Sequence, residues 1–572
     1  MGKKDRGMKI SDVQKKIKNS YIFKHGDVVL SSSTMGQLVD KAADENGDHI
    51  AFISAHQGIS KTFSEFRSDV SKVASGLVSL GLTKGDRVAI YCPNCYEWPL
   101  VQFATAKAGL ILVNINPAQQ ASELEYSLKK AGCKALIMWD KLKTQDFYEI
   151  LLQIVPELST SYPGKLKSQN IPTLESVIMV ATETKDGIIR MDDLMNLGNN
   201  ESDKLLDALE KSVQFDDPIN IQFTSGTTGK PKGATLSQHN IINNALVSAR
   251  SLGHNLLKPV VCCQVPLFHC FGNVLGTLGS VIFQNTCVFP YAGFNAAATL
   301  ETIEKFKCTT VYGTPTMYVD LINNYRMQNC NIKSLRHVVL GGASATESLI
   351  RDVRNVLKVP YISVAYGCTE NSPATAVSYL NDTFENIVKS VMQPLEFVEM
   401  KIINDAGCLV PVNTQGELCT RGHVLFVGYW DDKDKTEEAI DKTRWFHTGD
   451  LCVMNEYGYI QIVGRKKDMV VRGGENLYPA EIENFLATHP DILEVHIVGL
   501  PDERMGEELC AWIALKGDKT MTKEEVKEFC KGKISHFKIP RYIEFVTEFP
   551  KTTSGKIQKF KMREISIKKF NL

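Results

Sequence analysis

The strongest chemical signal in the chain is the segment Thr224-Ser225-Gly226-Thr227-Thr228-Gly229-Lys230-Pro231-Lys232-Gly233. Its three glycines let the backbone come close to a ligand, and its hydroxyls, amides and two lysines offer donors to phosphate oxygens. The spacing differs from that of a Walker A loop, which needs four residues between Gly and Gly-Lys and then Ser or Thr. Here two residues intervene and Pro231 follows, so a motor or GTPase is disfavoured. A flexible linker of the same composition is the plain alternative. Linkers seldom set hydroxyls, Pro and Lys directly after a buried strand, and the alternation of Ile219, Ile221 and Phe223 marks such a strand over 217–223.

Further along stand Tyr366-Gly367-Cys368-Thr369-Glu370, Trp445-Phe446-His447-Thr448-Gly449-Asp450, Gly464-Arg465-Lys466-Lys467-Asp468 and the stretch 550–559, PKTTSGKIQK. Taken singly these residues are unremarkable. Glu370 alone reads as a surface carboxylate, Asp450 as a turn cap and Lys556 as one solvated lysine among several. Together, and in this order, they resemble the motifs of the adenylate-forming superfamily of acyl-CoA synthetases, peptide-synthetase adenylation domains and beetle luciferases. The resemblance runs from about Met35 onward and is nearest to medium-chain fatty acyl-CoA synthetases, a group with mitochondrial members.

The resemblance implies an ATP-dependent acid–thiol ligase. A carboxylate attacks the α-phosphate of ATP to give acyl-AMP and pyrophosphate, and coenzyme A then takes the acyl group. Two anions must meet in the first step, so cations and Mg²⁺ have to offset their repulsion. The family pattern assigns the pyrophosphate cradle to Thr224–Lys232 and Mg²⁺ to Glu370, a hard ligand suited to magnesium. It sets Tyr366, with Gly367 and Thr369 beside it, against one face of the adenine and Gly342-Ala343-Ser344 against the other. Asp450 takes the ribose hydroxyls with help from Arg465. Lys556 bridges carboxylate and α-phosphate, although Lys551 and Lys559 are close competitors distinguished by motif register alone. His269 shapes the acyl site, with a purely structural role equally open. Gly474 lets pantetheine pass, and Lys467 is the hinge about which a small C-terminal domain rotates between the two reactions. One departure is Met392, which stands where the family has a glycine before Pro394.

The elements that must position these residues are legible as an α/β pattern. Phe63, Phe66, Val70, Val73, Ala74 and Leu77 recur at helical spacing and stop at Gly81; a strand follows over 87–91. Strands are expected at 260–265, 308–312, 337–340 and 361–365, each running into a loop of small or polar residues. Ligands in parallel sheets bind beyond the carboxyl ends of the strands, so these loops and 224–233 are expected to share one site. The predicted fold is α/β: a large N-terminal domain, 1–463, with parallel-type sheets flanked by helices plus a β-barrel-like subdomain. A small mobile α+β domain, 464–572, follows; it holds a helix from Pro479, strands at 493–498, 511–515 and 542–546, and a helix through about Lys531 that Thr522 and Glu525 cap reciprocally.

The 572 residues carry 65 basic and 65 acidic side chains, a balance that gives no reason to expect nucleic acid or an anionic membrane as the main partner. No apolar run reaches transmembrane length. The Lys-rich start lacks the core of a secretory signal, and the mitochondrial expectation rests on the resemblance, with cytoplasmic or peroxisomal location as alternatives. The 15 scattered cysteines suit a reducing compartment, and Cys92-Pro93-Asn94-Cys95 reads as a strand end and turn rather than a redox or zinc site. The candidate pocket segments, 269–276 and 312–318, are apolar and show no charge that could pair with the ammonium of an amino acid. A fatty acid is therefore the leading substrate. Aromatic acids such as coumarate, a carrier-protein-loading role and a catalytically inert ATP-binding scaffold are the other possibilities.

Overall fold

Parallel strands buried on both faces need helices on both sides, and the chain supplies them by alternating apolar strands with amphipathic helices. The computed structural model describes residues 16–224, 231–328, 330–473, 475–552 and 556–572. Among these residues the N-terminal part builds two large sheets. In the first, Ile50–Ser54, Thr286–Phe289, Val260–Cys263, Thr310–Gly313, His337–Gly341 and Tyr361–Gly367 lie parallel. The sheet then continues antiparallel through Ala374–Val377 and Val391–Pro394 to Ile460–Arg465, Phe446–Met454, Gly416–Gly422 and Val398–Ile403. This antiparallel portion, continuous with the parallel part, stands where the barrel-like subdomain was expected.

The second sheet sets Ser176–Val180, Ala135–Trp139, Arg87–Tyr91, Ile111–Asn114 and Pro218–Thr224 parallel, and ends in the antiparallel strands Lys232–Ser237 and Gly428–Tyr429. The strand before the phosphate-binding segment thus belongs to a different sheet from the four strands whose loops were expected to join it. The two sheets still meet along the helix Gln238–Ser251, most of whose residues are buried and which packs against Lys232–Ser237 of one and Ala374–Val377 of the other.

The helix read from Phe63 to Leu77 spans Phe63–Ser79, and Thr62 with Glu65 closes a capping box at its start. Two expected strands are displaced or shorter: Val260–Cys263 stops two residues early, because Pro266 turns the chain, and the next starts at Thr310. Met392 is buried in Val391–Pro394 and faces Ile460, so a side chain fills the core where the family has a glycine.

The strand Ile460–Arg465 remains in the first sheet, two residues past the expected boundary at 463. A smaller unit follows, with strands Val470–Arg472, Glu475–Leu477, Ile492–Asp502, Gly506–Leu515 and Tyr542–Phe545. Its helix Lys523–Cys530 is capped by Thr522 and Glu525 as the sequence indicated. All fifteen cysteines are free, and Cys92 and Cys95 are both buried at a strand end and turn. Burial raises the Cys95 thiol well above its usual range, the opposite of what a redox cysteine needs.

Candidate active site

The strand Tyr361–Gly367 carries Tyr366 to the rim of the first sheet. Its hydroxyl donates to Asp450 Oδ2 at 2.6 Å, and Arg465 Nε contacts the other oxygen of Asp450 at 2.8 Å. Asp450 and Arg465 are directly paired residues on the adjacent strands Phe446–Met454 and Ile460–Arg465, so register alone brings them together. The carboxylate is almost fully buried, and two donors offset the cost of holding it there. Its field raises Arg465, and desolvation together with Asp450 raises the Tyr366 phenol well above its usual range. Gly367 has no substitute: a Cβ there would sit 1.9 Å from the Pro373 carbonyl oxygen. Gly342, at φ +83°, and Ala343 form an open edge beyond the strand His337–Gly341.

Glu370 lies one turn further on, in a short 3-10 helix. The Tyr429 hydroxyl donates to its Oε1 at 2.8 Å, and Lys232 Nζ sits 4.2 Å from the centre of the Tyr429 ring. Tyr429 reaches both because its strand pairs with Ala234 and Thr235, just beyond Lys232. Thr224 and Lys232 face each other across the hairpin, where Thr224 Oγ1 donates to the Lys232 carbonyl at 3.3 Å. Pro231 accepts from the Tyr126 hydroxyl at 2.9 Å. Ser225, Gly226, Thr227, Thr228, Gly229 and Lys230 lie outside the described residues, as does Gly474.

Three asparagines of the helix Gln238–Ser251 had no motif to announce them. Asn244 Nδ2 donates to the carbonyls of Asn371 and Ala374, and Asn240 Nδ2 to those of His423 and Leu425. Asn243 ties the same helix to Ser31. Asn240 and Asn244 pin the loop that holds Glu370 and the segment leading to Tyr429. Tyr429 was likewise missed in the sequence. The signal for all of them was a cluster of amides on a helix otherwise read as core, where a buried amide must have partners.

On the acyl side, the chain turns at Pro266 and winds through Phe271–Leu278 as a π-helix, a form that concentrates at functional sites. Gly272 permits the turn, since a Cβ would lie 2.4 Å from the Pro266 carbonyl. Phe271 stacks on Tyr312 at 5.5 Å and reaches Gly341. Behind them His254 is buried between the Tyr312 hydroxyl, 2.7 Å away, and Asn285; desolvation pushes its pKa down to about 3, so it is neutral. The half-buried His269 opens this region. Desolvation, with a smaller contribution from the Lys556 ammonium, brings it down to about 3 as well. Its neighbour Cys270 contacts Thr369 Oγ1 at 3.9 Å and is raised to about 11 by burial.

The charge of Lys556 acts on His269 and Cys270, so this residue of the small domain lies near the acyl side. The three lysines of the segment 551–559 also differ. Lys551 pairs with Glu494 at 3.4 Å and Lys559 with Glu483 at 2.6 Å, both within the small domain. Lys556 is exposed and has no ion pair among the described residues. Lys467, one residue past the barrel strand's own neighbour Lys466, is lowered by desolvation and by the charges of Arg465 and Lys556. Among the described residues no cluster of three or more potential metal ligands is present. A single carboxylate with one oxygen left free by Tyr429 fits an ion held mainly by phosphates and water, as Mg²⁺ usually is.

Similarity to known proteins points the same way. The chain is 48% identical over 560 residues to the medium-chain acyl-CoA ligase ACSF2, mitochondrial, of Bos taurus, covering 97% of this chain and 91% of that protein. It is 41% identical to the putative acyl-CoA synthetase YngI of Bacillus subtilis, covering 95% and 99%. The crystal structure of the anthranilate CoA ligase AuaEII in complex with anthranoyl-AMP superposes with a TM-score of 0.82 at 25% identity, over 96% of this chain and 99% of that one. Residues 39–430 match the AMP-binding enzyme family and residues 481–556 match the AMP-binding enzyme C-terminal domain; the chain belongs to the AMP-binding enzyme family.

Proposed function

We propose that this protein is an ATP-dependent acyl-CoA ligase for medium-chain fatty acids. The acid's carboxylate oxygen attacks the α-phosphorus of ATP, a P–O bond forms, and pyrophosphate leaves. The sulfur of coenzyme A then attacks the acyl carbonyl, and AMP leaves. The observation that supports the reading best is the edge Tyr366–Asp450–Arg465, a buried carboxylate held by two donors in a chain of the AMP-binding enzyme family.

In this reading Asp450 and Arg465 hold the ribose, while Tyr366, Gly367, Gly342 and Ala343 flank the adenine. The segment from Thr224 to Lys232 cradles the phosphates. Glu370, held by Tyr429, would ligate Mg²⁺, which lowers the repulsion between carboxylate and triphosphate when bound. Lys556 stabilises the charge that builds at the α-phosphate. Rotation near Lys467 of the small unit that follows the strand Ile460–Arg465 then withdraws Lys556 and presents Gly474 to pantetheine.

An aliphatic tail is supported by the apolar character of the segments that hold Phe271, Val274 and Tyr312, whose polar neighbour His254 is neutral and already bonded on both sides. A mitochondrial location is supported by the name of the mammalian relative; the bacterial relative separates activity from compartment. No helix among the described residues is long and apolar enough to cross a membrane.

The test is AMP release with Mg-ATP, with and without coenzyme A, over acids from acetate to palmitate plus coumarate and benzoate. The reading requires coenzyme-dependent turnover that peaks at intermediate aliphatic length. A peak at coumarate or benzoate would make it an aromatic acid ligase, and turnover indifferent to coenzyme A would favour carrier loading. Fractionation of cells expressing a tagged chain tests the compartment.

A further inference from the structure

We propose that Glu417 is a positioning residue that ties the strand segment around Asp450 to the interdomain pivot, through a carboxylate shared by the Gly449 amide, His447 and Lys466. The proposal rests on the nucleotide and hinge roles given above to Asp450 and Lys467.

Glu417 stands on the strand Gly416–Gly422, beside the strand Phe446–Met454, at a point where the register between them shifts. That irregularity makes a bulge in the strand at Thr448-Gly449, with Gly449 at φ +67°. Glu417 Oε1 accepts from the Gly449 N–H at 3.3 Å and lies 3.5 Å from His447 Nδ1. Thr448 Oγ1 donates to the Leu418 carbonyl and accepts from the Asp450 N–H at 3.0 Å, so the bulge is tied to the neighbouring strand at Leu418 as well as at Glu417. The second oxygen, Oε2, faces Lys466 Nζ at 3.9 Å, and Lys466 also bridges to Asp405 at 2.8 Å. A carboxylate with only 16% of its side chain exposed is costly unless charged or N–H partners surround it. Here its partners come from two separate segments, the ribose-side strand segment and the residue before the hinge.

The consequence is mechanical. Lys466 is anchored to the large domain by Asp405 and Glu417, so rotation of the small domain has to take place beyond it, at Lys467 and Asp468. The same carboxylate fixes the backbone from which Asp450 projects. Glu417 thereby holds the nucleotide edge and the fixed side of the pivot in one frame.

The groups that face His447 are Cys419 and Glu417 of one strand and Asp441 of the preceding loop, with Lys466 on the far oxygen of Glu417. The Cys419 sulfur and the Glu417 carboxylate against Nδ1 raise its pKa to about 10, so His447 is an imidazolium through the neutral range. Any stability this pair contributes is fully present below the ordinary histidine pKa and is lost as pH rises through about 10.

The experiment uses the full-length enzyme and Glu417→Gln, which keeps size and an acceptor but removes the charge. ATP–pyrophosphate exchange reads adenylation, thioester formation from supplied acyl-AMP reads the second half-reaction, and NMR of the His447 ring reads the site itself. We expect KM for ATP to rise about tenfold, the weight of one charge-assisted hydrogen bond, with a smaller change in kcat. His447 should begin to titrate in the neutral range, making KM for ATP pH-dependent there. Lys466→Met removes the pivot anchor alone and should slow thioester formation while leaving KM for ATP in place. The proposal is overturned if Glu417→Gln leaves KM for ATP and the His447 titration as in the wild type, or if Lys466→Met and Glu417→Gln lower both half-reactions equally with a common fall in Tm. Wild-type exchange in the same series separates the two levels: its absence would sink the ligase reading itself.

Discussion

The two sides of the candidate site are built in opposite ways. On the large domain, Tyr366, Asp450 and Arg465 are locked to one another across adjacent strands, and Glu370 is held by Tyr429, all without a ligand. On the small domain, Lys556 sits exposed between two lysines that are tied to Glu494 and Glu483. In the proposed reading the nucleotide meets side chains that are already paired, and the catalytic charge is delivered to them. Such a division serves a reaction in which the same surface must keep hold of AMP while the group facing it changes. It also fits the pairing among the described residues, where Lys551 and Lys559 are in ion pairs and Lys556 is not: an ion pair within the small domain would hold it away from developing charge.

The contrast predicts unequal losses. Lys556→Ala should lower overall ligation the most, by about a hundred- to a thousandfold, the range for removing a group aimed at transition-state charge; steady-state AMP release measures it. Asp450→Asn comes next. It weakens both the Arg465 and Tyr366 contacts at a buried site, at about 1–3 kcal/mol, and should appear as a raised KM for ATP together with a lower Tm. Tyr429→Phe removes one neutral donor from Glu370, about 0.5–1.5 kcal/mol, and should raise the Mg²⁺ concentration needed for half-maximal activity with little effect on Tm. Lys551→Ala breaks a pair that is partly open to water and should cost less than about 1 kcal/mol of stability, with near-normal turnover. If Lys551→Ala proves as damaging as Lys556→Ala, the comparison between locked and delivered lysines fails.

Much of this was legible in the sequence, for identifiable reasons. Phe63 to Leu77 and the Thr522–Glu525 cap lie in helices whose boundaries depend on local spacing and capping alone. The loops after the strands fell where parallel strands must end. The division of those strands between two sheets was not legible, because a strand buried on both faces has the same apolar run whichever sheet it joins. Tyr429, Asn240 and Asn244 act over gaps of 59 to 185 residues. No local pattern encodes such distances. The choice among Lys551, Lys556 and Lys559 was likewise a matter of which carboxylates lay nearby, and those come from the strand and helix around Glu494 and Glu483.

The most direct test of a delivered lysine compares Lys556→Ala with Lys559→Ala in the two half-reactions separately. The account predicts that Lys556→Ala loses ATP–pyrophosphate exchange while still converting supplied acyl-AMP and coenzyme A to thioester, and that Lys559→Ala keeps both. Equal loss of both half-reactions in Lys556→Ala, or loss of exchange in Lys559→Ala instead, would contradict it.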